Sequence, residues 1–307
     1  MPRLRSYALA TTIGLAASPF AACKQDPPPP PVETPAPTPP APVPVPQEPA
    51  KPRIDLSGPV PPETSAVFFS VDGAMTPLAC FDAEKKRLVG GQACKKLMPD
   101  GAEVLLSSEF STELDKAGGA KAAMCEVGGK PQSIGTPRLD GGAAFDWAAW
   151  PKSLGRVVEA VKAETRKDRN KQLSPDEVAA VKAVIAKLAP RAAKGELRPY
   201  QKATLELGGD DRPELFLSVV VAHPTDPDRN LFAGLFYAPG GDLASLKPIH
   251  TSTKPDDFIA LEGAVDLDGD GQRELWVSLA FDGGAGDRVF RIDGDKANPL
   301  APWTCGV

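Results

Sequence analysis

The stretch Ala264-Val-Asp-Leu-Asp-Gly-Asp-Gly-Gln-Arg-Glu-Leu-Trp-Val277 decides how the chain is read. Asp266, Asp268 and Asp270 alternate, Gly271 follows, and Glu274 closes the run. Alternation brings every second side chain to one side of a tight loop, and clustered carboxylates repel one another unless a cation lies among them. A hard divalent cation takes several oxygen ligands at about 2.3–2.6 Å. The flanks, Glu262-Gly-Ala-Val265 and Leu275-Trp-Val-Ser-Leu-Ala-Phe281, are largely apolar, β-branched or aromatic. The pattern predicts a calcium loop joining two strands.

Working outward, an internal echo appears. Gly269-Asp-Gly-Gln-Arg-Glu-Leu-Trp-Val-Ser278 aligns with Gly209-Asp-Asp-Arg-Pro-Glu-Leu-Phe-Leu-Ser218 at one constant offset. Glu206, Asp210 and Glu214 then stand for Asp266, Asp270 and Glu274, while Gly208 replaces Asp268 and Asp211 replaces Gly271. Each copy continues as strand, turn, strand: 215–221 and 231–237 in the first, 275–281 and 288–292 in the second. Such self-similarity signals a repeated β unit.

Asp-x-Asp-x-Asp-Gly-x-x-Glu followed by a β-branched run resembles the calcium loop of FG-GAP and VCBS-type repeats, the blades of integrin-like propellers. The resemblance spans residues 203–307. It implies a structural Ca2+ held by carboxylate oxygens of Asp266, Asp268 and Asp270, the backbone carbonyl of Gln272, and the closing carboxylate of Glu274. The first copy lacks the central aspartate and the glycine, so metal is expected only in the second. A propeller typically takes 4–8 blades, so two units imply blade-like sheets embedded in a larger domain. A dockerin or EF-hand loop would be followed by a helix, whereas a β run follows Glu274.

The middle of the chain changes period. Leu154, Val157, Val158 and Val161 recur at helical spacing, and so do Val178, Val181, Ile185 and Leu188, which predicts a helical hairpin over 151–195. Ser174, Pro175 and Glu177 form a capping box with proline at the first helical position. The linking loop, 165–177, is similar to an EF-hand only in outline. With Glu177 at its last position, Arg166 falls where the first ligand belongs and Lys171 where the turn needs glycine.

Before the hairpin, 63–150 reads as a β-rich half. Ala66-Val-Phe-Phe-Ser-Val71, Ala102-Glu-Val-Leu-Leu-Ser-Ser108 and Lys121-Ala-Ala-Met-Cys-Glu-Val127 are strand candidates, and Trp147 and Trp150 should pack on the sheet near Pro151. Cys80, Cys94, Cys125 and Cys305 form an even set with no zinc spacing, and three connectivities are possible. A local bridge across the hairpin-like 80–94 segment is the economical pairing, leaving Cys125 with Cys305.

The amino end is not core. Arg3 and Arg5 precede an apolar stretch, 7–17, shorter than the about 20 residues that span a bilayer. Phe20-Ala-Ala-Cys23 then resembles the lipobox of bacterial lipoproteins, with Phe20 where leucine is usual. That resemblance implies cleavage after residue 22, lipidation of Cys23 and membrane attachment through this anchor. By the same resemblance, to Gram-negative lipoproteins, Lys24 after the cysteine implies the outer membrane or cell surface over retention at the inner membrane. Residues 23–62, with Pro27-Pro-Pro-Pro-Pro31 and Pro42-Val-Pro-Val-Pro46, form a proline-rich spacer rising about 3.1 Å per residue.

The expected whole is therefore α+β. An antiparallel, β-rich domain over 63–307 carries two propeller-blade-like β units and an inserted helical hairpin. A net charge of −5 and a pI near 5.3 argue against a nucleic-acid partner, which would favour a basic face. Neither a Gly-x-Ser-x-Gly elbow nor a His-Glu-x-x-His motif is present, and His223 and His250 both lie near prolines. The expected function is non-catalytic: a lipid-anchored envelope protein that binds a protein or glycan. The alternative is an envelope hydrolase using a carboxylate pair.

Overall fold

Strands rich in Val, Phe, Leu and Ile form three antiparallel sheets that lie face on face. The structure, a computed structural model, describes residues 54–71, 75–99, 101–108, 111–117, 126–127, 130–131, 145–161, 173–210, 212–226, 228–294 and 296–306.

The first half supplies β1 (Ala66–Val71), β2 (Met75–Asp82), β3 (Arg87–Gly90), β4 (Glu103–Ser107), β5 (Thr112–Lys116), the short β6 (Glu126–Val127) and β7 (Lys130–Pro131), and β8 (Trp147–Trp150). Six of them form one sheet in the order β3-β2-β1-β8-β4-β5. The expected strands at 66–71 and 102–108 are thus present. The tryptophan segment is itself a strand, lying centrally with Trp150 opposite Val67.

Here the structure corrects the helical hairpin. Its first arm, 154–161, is instead a 3-10 turn (Lys152–Val157) followed by strand β9 (Val158–Ala160). Two features explain the difference. Val158, which opens β9, is β-branched and favours extended backbone. Glycine at position 263 also lets the β9 backbone come close, since a Cβ there would lie 2.6 Å from the Glu159 carbonyl. The second arm is helix α1 (Pro175–Leu188), with the capping box as expected. Glu177 N donates to Ser174 Oγ at 3.2 Å, and Ser174 N donates to Glu177 Oε2 at 2.8 Å. Residues 162–172, which hold most of the EF-hand-like loop, lie outside the described residues. Glu177, the residue that would close such a loop, caps the helix and pairs with Lys202 at 2.5 Å.

Two four-stranded meanders follow. The first runs β10 (Leu197–Leu205), β11 (Glu214–Ala222), β12 (Asn230–Ala238) and β13 (Lys247–Ser252). The second runs β14 (Phe258–Val265), β15 (Glu274–Phe281), β16 (Gly284–Asp293) and β17 (Lys296–Gly306), and it is widened by β9 at one edge and by β6 and β7 at the other. The repeat seen in the sequence is therefore a repeat of antiparallel units.

The core lies in layers. Leu205, Phe216, Leu235 and Ile249 of the first meander meet Leu261, Leu275, Val277 and Phe290 of the second. The other face of the second meander, with Trp276 and Val289, packs on Phe68, Leu105 and Trp147 of the six-stranded sheet. The two outer faces are also covered. Val181 and Ile185 of α1 pack on Leu217, Phe232 and Phe236. The far side of the six-stranded sheet holds the Cys80–Cys94 disulfide, with Cα atoms 5.6 Å apart, and Met98. The two halves thus share a core, and β6 and β7 of the first half also join the sheet of the second meander.

The spacer boundary also moves. Residues 54–62, expected as the end of an extended linker, form a strap on the domain. Ile54 and Leu56 pack against the core between the six-stranded sheet and the second meander. Ser153 Oγ donates to the Pro59 carbonyl at 2.5 Å, and Arg156 Nη2 donates to the Gly58 carbonyl at 2.8 Å. Apolar anchors and donors reaching for proline-region carbonyls hold what composition alone assigns to a tether. No helix among the described residues is long and apolar enough to cross a membrane.

Candidate metal centre

β14 ends at Val265 and β15 begins at Glu274, and these two residues face each other in the ladder. The acidic run is thus the turn between two paired strands. It needs left-handed backbone at two points, Gly269 (φ 73°) and Gly271 (φ 84°), where a Cβ is strained. Gly269 additionally lies against the strap, so that a Cβ would fall 2.6 Å from the Pro62 ring.

Backbone N–H groups draw the carboxylates inward. Asp266 accepts from Gly269 N at 2.8 Å and Gly271 N at 3.2 Å. Asp268 Oδ1 accepts from Asp270 N at 3.3 Å, and Asp270 Oδ1 from Gln272 N at 2.8 Å. Oxygens of Asp266, Asp268 and Asp270 come within 4.8 Å of one another. Glu274, only 1% exposed, reaches back under the turn, and its Oε2 accepts from Leu267 N at 3.0 Å. The Gln272 side chain donates to the Ile292 carbonyl at 3.1 Å, so its backbone carbonyl remains the expected donor to a metal.

Arg291, on neighbouring β16, was not legible from the loop motif. Its Nη1 donates to Asp268 Oδ2 at 2.5 Å and Glu274 Oε1 at 3.2 Å, and its Nη2 donates to Asp270 Oδ2 at 2.6 Å. Its Nε points outward to Asp293 Oδ1 at 3.3 Å. The available signal was an arginine set among apolar residues in Arg288-Val-Phe-Arg-Ile292. Alternation gave no way to tell which acids it would meet.

The electrostatics follow from burial. Burial pushes Glu274 up to about 8; the Leu267 N–H and Arg291 oppose this, while Asp268 and Asp270 add to it. Burial also raises Asp266 against the pull of its two N–H donors. Asp270 is lowered, because the Gln272 N–H and Arg291 outweigh its burial. Arg291 is raised, since the bonds to Asp268 and Asp270 exceed the burial that would lower it. Asp266, Asp268 and Asp270 set three carboxyl groups against one guanidinium, with the oxygens of Glu274 below them. That imbalance, and an all-oxygen donor set, fit a hard cation. Bound there, calcium would supply positive charge and a cross-link between the turn and the base of β15.

The first copy folds alike with a different counter-charge. Glu214 Oε2 accepts from Leu207 N at 2.9 Å, matching Glu274 and Leu267, and burial raises Glu214 as well. Asp210 is held by Arg212 through Nε at 3.0 Å and Nη2 at 2.6 Å. The two turns touch: Arg273 N donates to the Leu207 carbonyl at 3.0 Å, and Arg273 Nη1 bonds both the Glu206 carbonyl, at 2.8 Å, and the Glu159 carboxylate. Asp211 lies outside the described residues.

The remaining expected sites are scattered. Cys80 and Cys94 are bonded to each other. Cys23 and Cys125 lie outside the described residues. Cys305 sits in β17 opposite Ala285, and next to it Thr304 pairs with Glu126 of β6. His223 follows β11 and bonds Thr225. His250 lies inside β13, its ring against Phe290 and its Nε2 3.5 Å from Arg288 Nη1. Comparison with family models, curated proteins and solved structures returns no match for this chain.

Proposed function

We propose that this is a lipid-anchored envelope protein, non-catalytic, whose β domain carries a structural calcium ion at Asp266, Asp268, Asp270, Gln272 and Glu274 and binds a protein or glycan. The carrying observation is the convergence of three aspartates in the turn of the second meander, with Glu274 buried beneath them. The FG-GAP/VCBS-like motif agrees with that placement, because the turn joins two strands of a repeated, blade-like unit. The lack of a nucleophile elbow or zinc-protease motif supports the non-catalytic reading. The lipobox-like Phe20-Ala-Ala-Cys23 supports anchoring at the outer membrane or cell surface.

Two measurements test the reading. The purified chain is stripped with chelator and its unfolding midpoint followed as calcium is added, beside Asp268→Ala. A ligand that binds only the native state stabilises it by about 2.7 kcal/mol at a hundredfold excess over Kd. A calcium-dependent rise that is lost in Asp268→Ala is expected; no rise at millimolar calcium would refute the metal. Metabolic labelling with an acyl probe should mark the chain and fail on Cys23→Ala; an unlabelled wild-type chain would refute the anchor.

A further inference from the structure

We infer that Arg291 is a built-in cation that competes with the metal for the same oxygens, so that calcium enters by displacing its guanidinium. The inference rests on the calcium reading above and concerns how that site is governed. Asp268 Oδ2, Asp270 Oδ2 and Glu274 Oε1 all accept from Arg291. A calcium ion held by Asp268, Asp270 and Glu274 draws on those same carboxylates at about 2.3–2.6 Å, and it repels a guanidinium left in place. The two cations therefore exclude each other.

Three observations give the exchange a physical form. First, the arginine has somewhere to go. Its Nε already meets Asp293, whose side chain is 55% exposed and is steadied by Asn298 Nδ2 at 2.8 Å. A pivot toward Asp293 keeps an anionic partner while vacating the three oxygens. Second, the move needs no backbone change, because Arg291 and Asp293 are paired in the ladder with Asn298 and Lys296. Third, the first copy shows arginine in the same part independently: Arg212 clamps Asp210 where the central aspartate is missing. The metal-free turn is thus held closed by Arg291, and calcium binds more weakly than its oxygens alone would allow.

The test is calcium calorimetry on the full chain, with wild type, Arg291→Gln, Asp293→Asn and Asp268→Asn compared. Arg291→Gln should tighten calcium binding by about tenfold or more, within the usual range of coupling between two ligands, and lower the unfolding midpoint in chelator. Asp293→Asn removes the outward perch, leaves every ligand in place and should weaken calcium severalfold. It also serves if Arg291→Gln fails to fold. Unchanged affinity in both variants, with binding still lost in Asp268→Asn, would overturn the competition while leaving the metal site standing. Absence of binding in wild type and in Arg291→Gln alike would overturn the calcium reading, and this inference with it.

Discussion

Asp287 ties two sheets together, and removing it should cost more than its small side chain implies. The Trp276 indole donates to Asp287 Oδ1 at 2.8 Å, and Ser70 Oγ donates to Oδ2 at 2.9 Å. Ser70 belongs to β1 of the six-stranded sheet, whereas Trp276 and Asp287 belong to the second meander. All three are buried, at 5%, 4% and 7% exposure. Asp287→Ala leaves two donors in the interior, and each costs about 1–3 kcal/mol when orphaned. The expected loss is therefore roughly 2–6 kcal/mol. For a domain of this size about 2–4 °C is lost per kcal/mol, so the midpoint should fall by roughly 4–24 °C. Asp287→Asn keeps an acceptor for the indole and offers an amide to a hydroxyl that can rotate, so about 1 kcal/mol is expected. Urea unfolding followed by tryptophan fluorescence measures both, with Ser70→Ala completing a double-mutant cycle that should be less than additive. An Asp287→Ala loss below about 0.5 kcal/mol would refute the argument. So would an Asn variant as damaged as the Ala one, which would assign the effect to charge and not to pairing.

Three further expectations concern His250, the disulfide and two glycines. His250 is lowered to about 4 by burial and by Arg288, with Asp257 pulling the other way; the unfolded chain therefore binds the extra proton first, and stability should fall as pH drops from about 6.5 to 4, by about 2 kcal/mol after allowance for partial exposure. A pH series of unfolding midpoints should lose this component in His250→Gln; an unaltered profile would refute it. Cys80→Ser with Cys94→Ser opens a loop with a separation of 14 and should cost about 3 kcal/mol, read by urea unfolding against wild type, with equal stability counting against a structural bridge. Gly234→Val drives a Cβ to 2.7–2.9 Å from the Phe232 and Phe236 rings and should cost at least about 1–3 kcal/mol, whereas Gly208→Ala, with nothing within 4 Å, should be nearly neutral in the same assay.

The parts of the molecule legible in the sequence are those written by short-range rules. The Asp266–Glu274 turn, the strands on either side, the echo at Glu206–Glu214 and the Ser174 cap each depend on residues a few positions apart. The failures came where a distant partner overruled a local pattern. Leu154, Val157, Val158 and Val161 have helical spacing, yet the edge of β14 beside Gly263 recruits Val158 to Ala160 as a strand. Proline content disguised residues 54–62, because two apolar side chains and two donors from 153–156 suffice to dock them. Arg291 was hidden for a similar reason: it is 17 residues from Glu274, and only pairing of β15 with β16 brings it to the loop.

The strap has a mechanical consequence. Residues 54–62 precede β1, so a pull on the amino end reaches them before it reaches any sheet. The load meets Ile54 and Leu56 in their apolar seats first, then Arg156 and Ser153, which grip the carbonyls of Gly58 and Pro59, and last the seat of Pro61 against Gly269. The six-stranded sheet is loaded only after these contacts part. Two apolar anchors and two hydrogen bonds thus stand between a pull on the amino end and the first strand. The acidic turn sits at the last of these contacts, beside the start of β1.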